Sequence, residues 1–234
     1  EIARSKCGII KGGNAVAALD IPESAMDVIR ERCAQTGARL ITPDRSELEI
    51  LEKPGLRGSR FRYRGQEYRL YLGGAYQVTN ALTAIEALTC AGVTPAHIAM
   101  GIERARIPAR MELLPGDILL DGGHNPQAAR AVRSALEDSG YERRTAFIGM
   151  MNTKDHRVFL QEILPCFDRV YFCDGFSEGE VPAEELRRIS GLDGAEIFHS
   201  PREALKFARR DREGGLMYFG GSFYFAAAVR EYLV

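Results

Sequence analysis

Between residues 117 and 234, short apolar runs alternate with stretches in which apolar positions recur at helical spacing. The runs predict strands at 117–120, 145–149, 169–173, 195–198 and 216–220. The stretches between them predict helices at 126–139, 155–164, 182–190 and 201–210, with a last helix from about 222 to 232. Two helix starts are well marked. Asn125-Pro126 and Ser200-Pro201 each place a capping side chain before a proline at the first helical position. In the first of these helices Ala129, Val132 and Leu136 share one face. Parallel strands need crossover helices, so regular β–α alternation predicts an α/β domain with a mostly parallel, doubly wound sheet covered on both sides.

The first half is less regular. A helix is expected over 22–36, with Ala25, Val28, Ile29 and Cys33 on one face and Gly37 at its end. Alternating segments around Arg64-Gly65-Gln66 predict a β-hairpin over 60–72. A strong helix follows over 77–90, its stripe being Val78, Ala81, Leu82, Ile85 and Leu88, and Thr94-Pro95 caps a shorter one ending near Glu103. Residues 104–109 have no periodicity and include Pro108. The domain boundary is placed there, giving domains 1–106 and 107–234.

Composition narrows the class. In 234 residues, 31 Lys+Arg balance 32 Asp+Glu, so the formal net charge is −1, without the electrostatic footprint of a nucleic-acid coat. At 45% hydrophobic and 27% charged residues the chain is neither disordered nor fibrous. No apolar run approaches the roughly 20 residues that cross a bilayer. Five cysteines, scattered and without CxxC spacing, read as reduced thiols in a cytoplasmic protein.

The segment Asp121-Gly122-Gly123-His124-Asn125-Pro126 carries the most chemistry. It follows a strand and opens a helix, the carboxyl edge where open α/β sheets bind ligands. Glycines there allow close backbone approach, and the helix N-terminus offers N–H groups to an anion. Asp121 could hold a cation or a sugar hydroxyl, and His124 a carboxylate or phosphate. The plainer reading is a turn in which Asp121 bonds the loop backbone and Asn125 caps the helix. Asn152, Thr153, Lys154 and Asp155 follow the second strand and Gly220-Gly221-Ser222 the fifth, on the same predicted edge. Neither GxGxxG nor the GxxxxGK[ST] phosphate loop occurs. Gln77 and Asn80 share a helix face and could read a base edge or serve as caps; His97, His156 and His199 lack metal-ligand spacing and read as structural or surface residues.

Taken in order, several stretches resemble one family. They are Ile2-Ala3-Arg4-Ser5-Lys6-Cys7-Gly8-Ile9-Ile10-Lys11, Gly74-Ala75-Tyr76-Gln77-Val78-Thr79-Asn80-Ala81 and Ile107-Pro108-Ala109-Arg110-Met111-Glu112. Leu120-Asp121-Gly122-Gly123-His124-Asn125-Pro126, Asn152-Thr153-Lys154-Asp155 and Gly221-Ser222-Phe223-Tyr224 complete the set. The family is folylpolyglutamate synthase, often bifunctional with dihydrofolate synthase, within the Mur-ligase-like ATP-dependent amide ligases. The resemblance implies the C-terminal part of an ATP-binding domain over 1–106 and a Rossmann-like glutamate-ligase domain over 107–234.

By position, Lys6 matches the lysine carbamylated in this superfamily, where it helps hold magnesium; the modified group offers the oxygen ligands that magnesium prefers. Asn80 matches the asparagine near adenine and Arg110 an arginine reaching the ATP phosphates. Asp121 matches an aspartate on the nucleotide side of the cleft, His124 and Ser222 match positions handling the incoming glutamate, and Lys154 is assigned to phosphate or a carboxylate. The implied cofactors are ATP and Mg2+, with K+ as a further cation. The implied substrates are folate or dihydropteroate and L-glutamate, handled by a monomeric full-length enzyme without nucleic-acid or membrane partners. Ser5, Cys7, Gly123 and Ala227-Ala228 depart from the family pattern. The family carries a P-loop ahead of the Lys6 segment, so the expectation is the carboxyl-terminal part of a ligase, inactive alone. Alternatives are a peptidoglycan Mur ligase and a non-catalytic nucleotide- or amino-acid-binding module.

Overall fold

The computed structural model describes residues 2–137, 139–152, 156–210 and 215–234. They form two compact units: one of residues up to Lys53 with Ser59–Tyr71 and Ala75–Ala105, the other of Pro54–Gly58, Leu72–Gly74 and Arg106–Val234.

In the first unit, α1 (Ile2–Lys6) runs into a 3-10 turn over Cys7–Ile9. Strand β1 (Asn14–Val16) pairs in parallel with β2 (Arg39–Ile41), and α2 (Glu23–Thr36) connects them. Gly37 ends α2 in the left-handed region (φ 67°) and donates its N–H to Cys33 O. Strands β3 (Leu48–Gly55), β4 (Gly58–Tyr63) and β5 (Gln66–Leu70) form a second sheet. The β4–β5 hairpin turns at Arg64 and Gly65, both at positive φ (49° and 76°), as a tight two-residue turn between right-twisted strands requires. Helix α3 (Tyr76–Cys90) buries Val78, Ala81, Leu82 and Ile85, whereas Leu88 is 38% exposed and corrects the expected stripe. On α3 the buried Glu86 instead accepts the Tyr63 hydroxyl and pairs with Arg64 at 3.1 Å. Helix α4 (Pro95–Arg104) starts on Thr94, whose hydroxyl accepts the His97 N–H.

The second unit is built on a six-stranded sheet. Its strands are β6 (Glu112–Leu114), β7 (Ile118–Asp121), β8 (Arg144–Ile148), β9 (Arg169–Cys173), β10 (Ile197–Phe198) and β11 (Leu216–Gly220). They lie in the order β10-β9-β8-β11-β7-β6, parallel throughout except that β6 pairs antiparallel with β7. The helices are α5 (Pro126–Glu137), α6 (His156–Ile163), α7 (Ala183–Ser190), α8 (Pro201–Arg210) and α9 (Phe223–Arg230). Helices α5, α6 and α7 pack side by side, while α8 packs on α9. One core joins Ala204, Leu205 and Ala208 of α8 and Phe225, Ala226 and Val229 of α9 to Ile118, Leu120, Phe147, Tyr171, Met217 and Phe219. Along each strand these are alternate residues, so α8 and α9 cover one face and α5–α7 the other. Five expected strands and their helices therefore recur as a doubly wound sheet. The edge strand β6 is an addition, and β10 is two residues shorter than expected. No helix of the described residues is long and apolar enough to cross a membrane, and all five cysteines are free.

Candidate functional site

Parallel strands deliver their carboxyl ends to one edge, and the loops there converge. Strand β7 ends on Asp121, only 3% exposed. Its Oδ1 accepts the Met111 N–H at 3.1 Å and its Oδ2 the Gly123 N–H at 2.9 Å. Burial pushes this carboxyl above the usual range, opposed by the two backbone donors and by the positive charge of Arg110 and His124. Gly122 N–H reaches Ala109 O at 2.7 Å, so the strand end is stitched to residues 109–111 on both sides.

That segment is strained. Ala109 (φ 53°) and Met111 (φ 48°) both occupy the left-handed region that non-glycine residues rarely visit, and both are buried. Between them Arg110 is exposed, its guanidinium 5.8 Å from the centre of the Phe223 ring. Glu112 holds the turn from the other side. It accepts the Ala109 N–H at 2.9 Å and receives Arg230 Nε at 2.9 Å. The motif drew attention to Arg110; the brace from Glu112 to Arg230, a partner 118 residues away, carried no local signal.

The glycines are required by contact. A Cβ at Gly122 would lie 2.8 Å from the Phe223 ring, and one at Gly123 would lie 2.5 Å from Asp121 Oδ2 and 2.7 Å from the Ala128 Cβ. The departure at Gly123 thus fits the tight Asp121–Gly123 turn of this chain. His124, half-buried, has Nδ1 at 3.3 Å from Gly122 O. Asn125 Oδ1 accepts the Ala128 N–H at 2.9 Å, the capping that its position before Pro126 predicts. Ser222, 2% exposed, caps α9 by accepting the Tyr224 N–H at 3.2 Å. The plainer readings of Asp121 and Asn125 are therefore realised, and they hold Arg110 and His124 in place.

The structure brings Arg110, Asp121 and His124 together beside Phe223, next to the capping Ser222. Lys6, exposed at the end of α1, and Asn80, exposed on α3 with its amide donating to Gln77 Oε1 at 3.0 Å, belong to the first unit. Lys154 lies outside the described residues. Residues 109–223 match the family model described as Mur ligase, glutamate ligase domain, and relatives of one kind match the whole chain. Residues 109–223 thus carry a Mur ligase glutamate ligase domain, and the chain as a whole is similar to folylpolyglutamate synthases. The folylpolyglutamate synthase of Lacticaseibacillus casei is 29% identical over 252 aligned positions, covering 100% of this chain and 57% of that protein. The folylpolyglutamate synthase of Mycobacterium tuberculosis, solved with ADP and AMPPCP, shares the fold at a TM-score of 0.85 and 22% identity over 99% of this chain and 58% of that one. A bifunctional folylpolyglutamate synthase/dihydrofolate synthase with Mn, AMPPNP and L-glutamate bound is 25% identical, with a TM-score of 0.77 over 99% of this chain and 56% of that one. The chain thus spans little more than half the length of these relatives.

Proposed function

We propose that this chain is part of an ATP-dependent ligase that adds L-glutamate to folate or folylpoly-γ-glutamate, with dihydropteroate as a further acceptor. The observation that carries the reading is the braced group of Arg110, Asp121 and His124 at the carboxyl edge of a sheet matched as a glutamate ligase domain. The match to the L. casei folylpolyglutamate synthase runs along the whole chain, which favours folate over a muramyl substrate.

The residues fit an ATP-dependent acyl transfer. Arg110 offers a planar fork of donors that suits phosphate oxygens, presented from a turn that cannot relax without breaking the Asp121 and Glu112 bonds. The buried Asp121 accepts a backbone N–H on each oxygen and so fixes the turn behind that guanidinium and the start of the loop that carries His124. ATP supplies a phosphoryl group to the γ-carboxylate of the folate, giving an acyl phosphate that the glutamate amine attacks, with phosphate leaving as the amide forms. His124 and the helix start beside it would take a carboxylate of the glutamate. Lys6 carries an ammonium, which donates and does not ligate; once carbamylated it would help hold a divalent ion, which would neutralise the phosphate charge. Asn80 would face adenine, and Lys154 a phosphate or carboxylate. The free thiols fit a reducing cytoplasm.

The 234-residue chain holds no GxxxxGK[ST] segment, and we place the complete reaction in a longer protein that supplies one. The test is incorporation of labelled glutamate by that longer protein, with ATP and either folate, dihydropteroate or a UDP-muramyl acceptor, beside the 234-residue chain alone. The expected result is a γ-glutamyl product from the folate-type acceptors with the longer protein only. A product from the muramyl acceptor alone, or from the short chain, would overturn the corresponding part of the reading.

A further inference from the structure

A second group of ligating side chains lies at the same sheet edge, away from Asp121. Helices α7 and α8, which follow the neighbouring strands β9 and β10, leave on opposite faces of the sheet. Two adjacent parallel strands whose connections diverge in this way open a crevice at their carboxyl ends, the place where open α/β sheets bind ligands. Asp174 follows β9, His199 follows β10, Glu184 stands in the first turn of α7 and Glu203 in the first turn of α8.

We propose that this crevice is a divalent transition-metal site, with His199 Nε2 and the Glu184 carboxylate as donors and Asp174 fixing the imidazole from behind. Asp174 Oδ1 lies 2.8 Å from His199 Nδ1, and its Oδ2 accepts the Ala183 N–H at 2.8 Å. One carboxylate thus orients both the histidine and the start of the helix that carries Glu184. With Nδ1–H engaged, the free lone pair of the neutral ring is on Nε2, and that atom faces Glu184 Oε1 at 3.8 Å. One donor atom from each of Asp174, Glu184 and His199 falls within 4.8 Å of the others. A carboxylate behind a histidine whose other nitrogen points at a second carboxylate is the arrangement that metal-ligating histidines adopt. Glu203 adds negative charge to the ring's surroundings without an ion pair of its own to the imidazole among the described residues. An imidazole donor favours zinc, cobalt or nickel over magnesium. Two protein donors leave room for water, so the ion links the β9 and β10 loops across the crevice. This inference does not rest on the ligase reading.

The test is calorimetric titration of the 234-residue chain with zinc chloride and, separately, magnesium chloride, with the visible spectrum of the cobalt complex as a second readout. Equimolar zinc binding is expected, much tighter than magnesium, together with cobalt absorption bands and a higher unfolding temperature in zinc. His199→Ala should lower zinc affinity by well over tenfold, and Asp174→Ala by about tenfold or more. Glu184→Gln should alter the cobalt spectrum, and His97→Ala, in the first unit, should change nothing. Absence of zinc binding, zinc affinity indifferent to His199→Ala and Glu184→Gln, or magnesium binding as tight as zinc would each overturn the proposal.

Discussion

The two units hold their motif residues in different ways. In the second, Asp121, Gly122 and Glu112 tie strand end and turn together through backbone hydrogen bonds, so Arg110 stands on a frame fixed at several points. In the first, Lys6 ends a five-residue helix and Asn80 lies exposed on α3. The best-braced polar group in that unit is Tyr63, Glu86 and Arg64, which joins the β4–β5 hairpin to α3 and matches no motif of the family. The contrast separates two uses of buried polar groups. One braces a strained turn that presents an exposed arginine; the other locks secondary structure.

The largest effect is expected at Asp121. Asp121→Ala leaves the Met111 and Gly123 N–H groups buried without acceptors, at about 1–3 kcal/mol each. Chemical denaturation should register the loss, and a change no larger than that of a surface substitution would break the claim of a frame. Gly122→Ala drives a methyl into the Phe223 ring and should cost about 1–3 kcal/mol.

Tyr63→Phe probes the lock of the first unit. Burial and the Glu86 carboxylate push the Tyr63 phenol up to about 12 from its ordinary 10.0. Its contribution to stability is fully present below pH 10, where the unfolded phenol is still protonated, and is lost as pH rises through 12. Unfolding free energy measured across that window should fall less steeply in Tyr63→Phe than in the parent; equal slopes would remove Tyr63 from the lock. The smallest effect is expected at Gly8, in the Lys6 motif, where an added Cβ meets nothing within 4 Å. Gly8→Ala should stay within about 0.5 kcal/mol of the parent, and a loss comparable to Gly122→Ala would erase the contrast between the units.

The same contrast decides what could be read from the chain. The parallel sheet was legible because its strands lie in buried apolar runs and its helices open on Asn125-Pro126 and Ser200-Pro201, all local signals. Strand β6 was not, since its three residues follow a strained turn and pair antiparallel at an edge. Strand β3 escaped for a similar reason: its exposed positions follow no strict alternation. Leu88 fits the helical stripe yet is 38% exposed near the end of α3, and Glu86, outside the stripe, is buried by its bonds to Tyr63 and Arg64, partners more than twenty residues away. The Asp121 loop was legible as a place, through its glycines and strand-end position, whereas its bonds to Met111 and the Glu112–Arg230 brace depend on distant partners. His199 is an exposed residue, as expected, but its contact with Asp174, 25 positions away, has no local signal.

The proposed ligase function turns most directly on Arg110, which would bind the phosphate. The measurement is the rate of ATP-dependent glutamate addition to folate by the longer protein and its Arg110→Ala variant, with unfolding followed in parallel. The predicted result is a loss of about a hundredfold or more in kcat/KM for ATP, with stability unchanged because the guanidinium is exposed. An undiminished rate in a folded Arg110→Ala protein would contradict it.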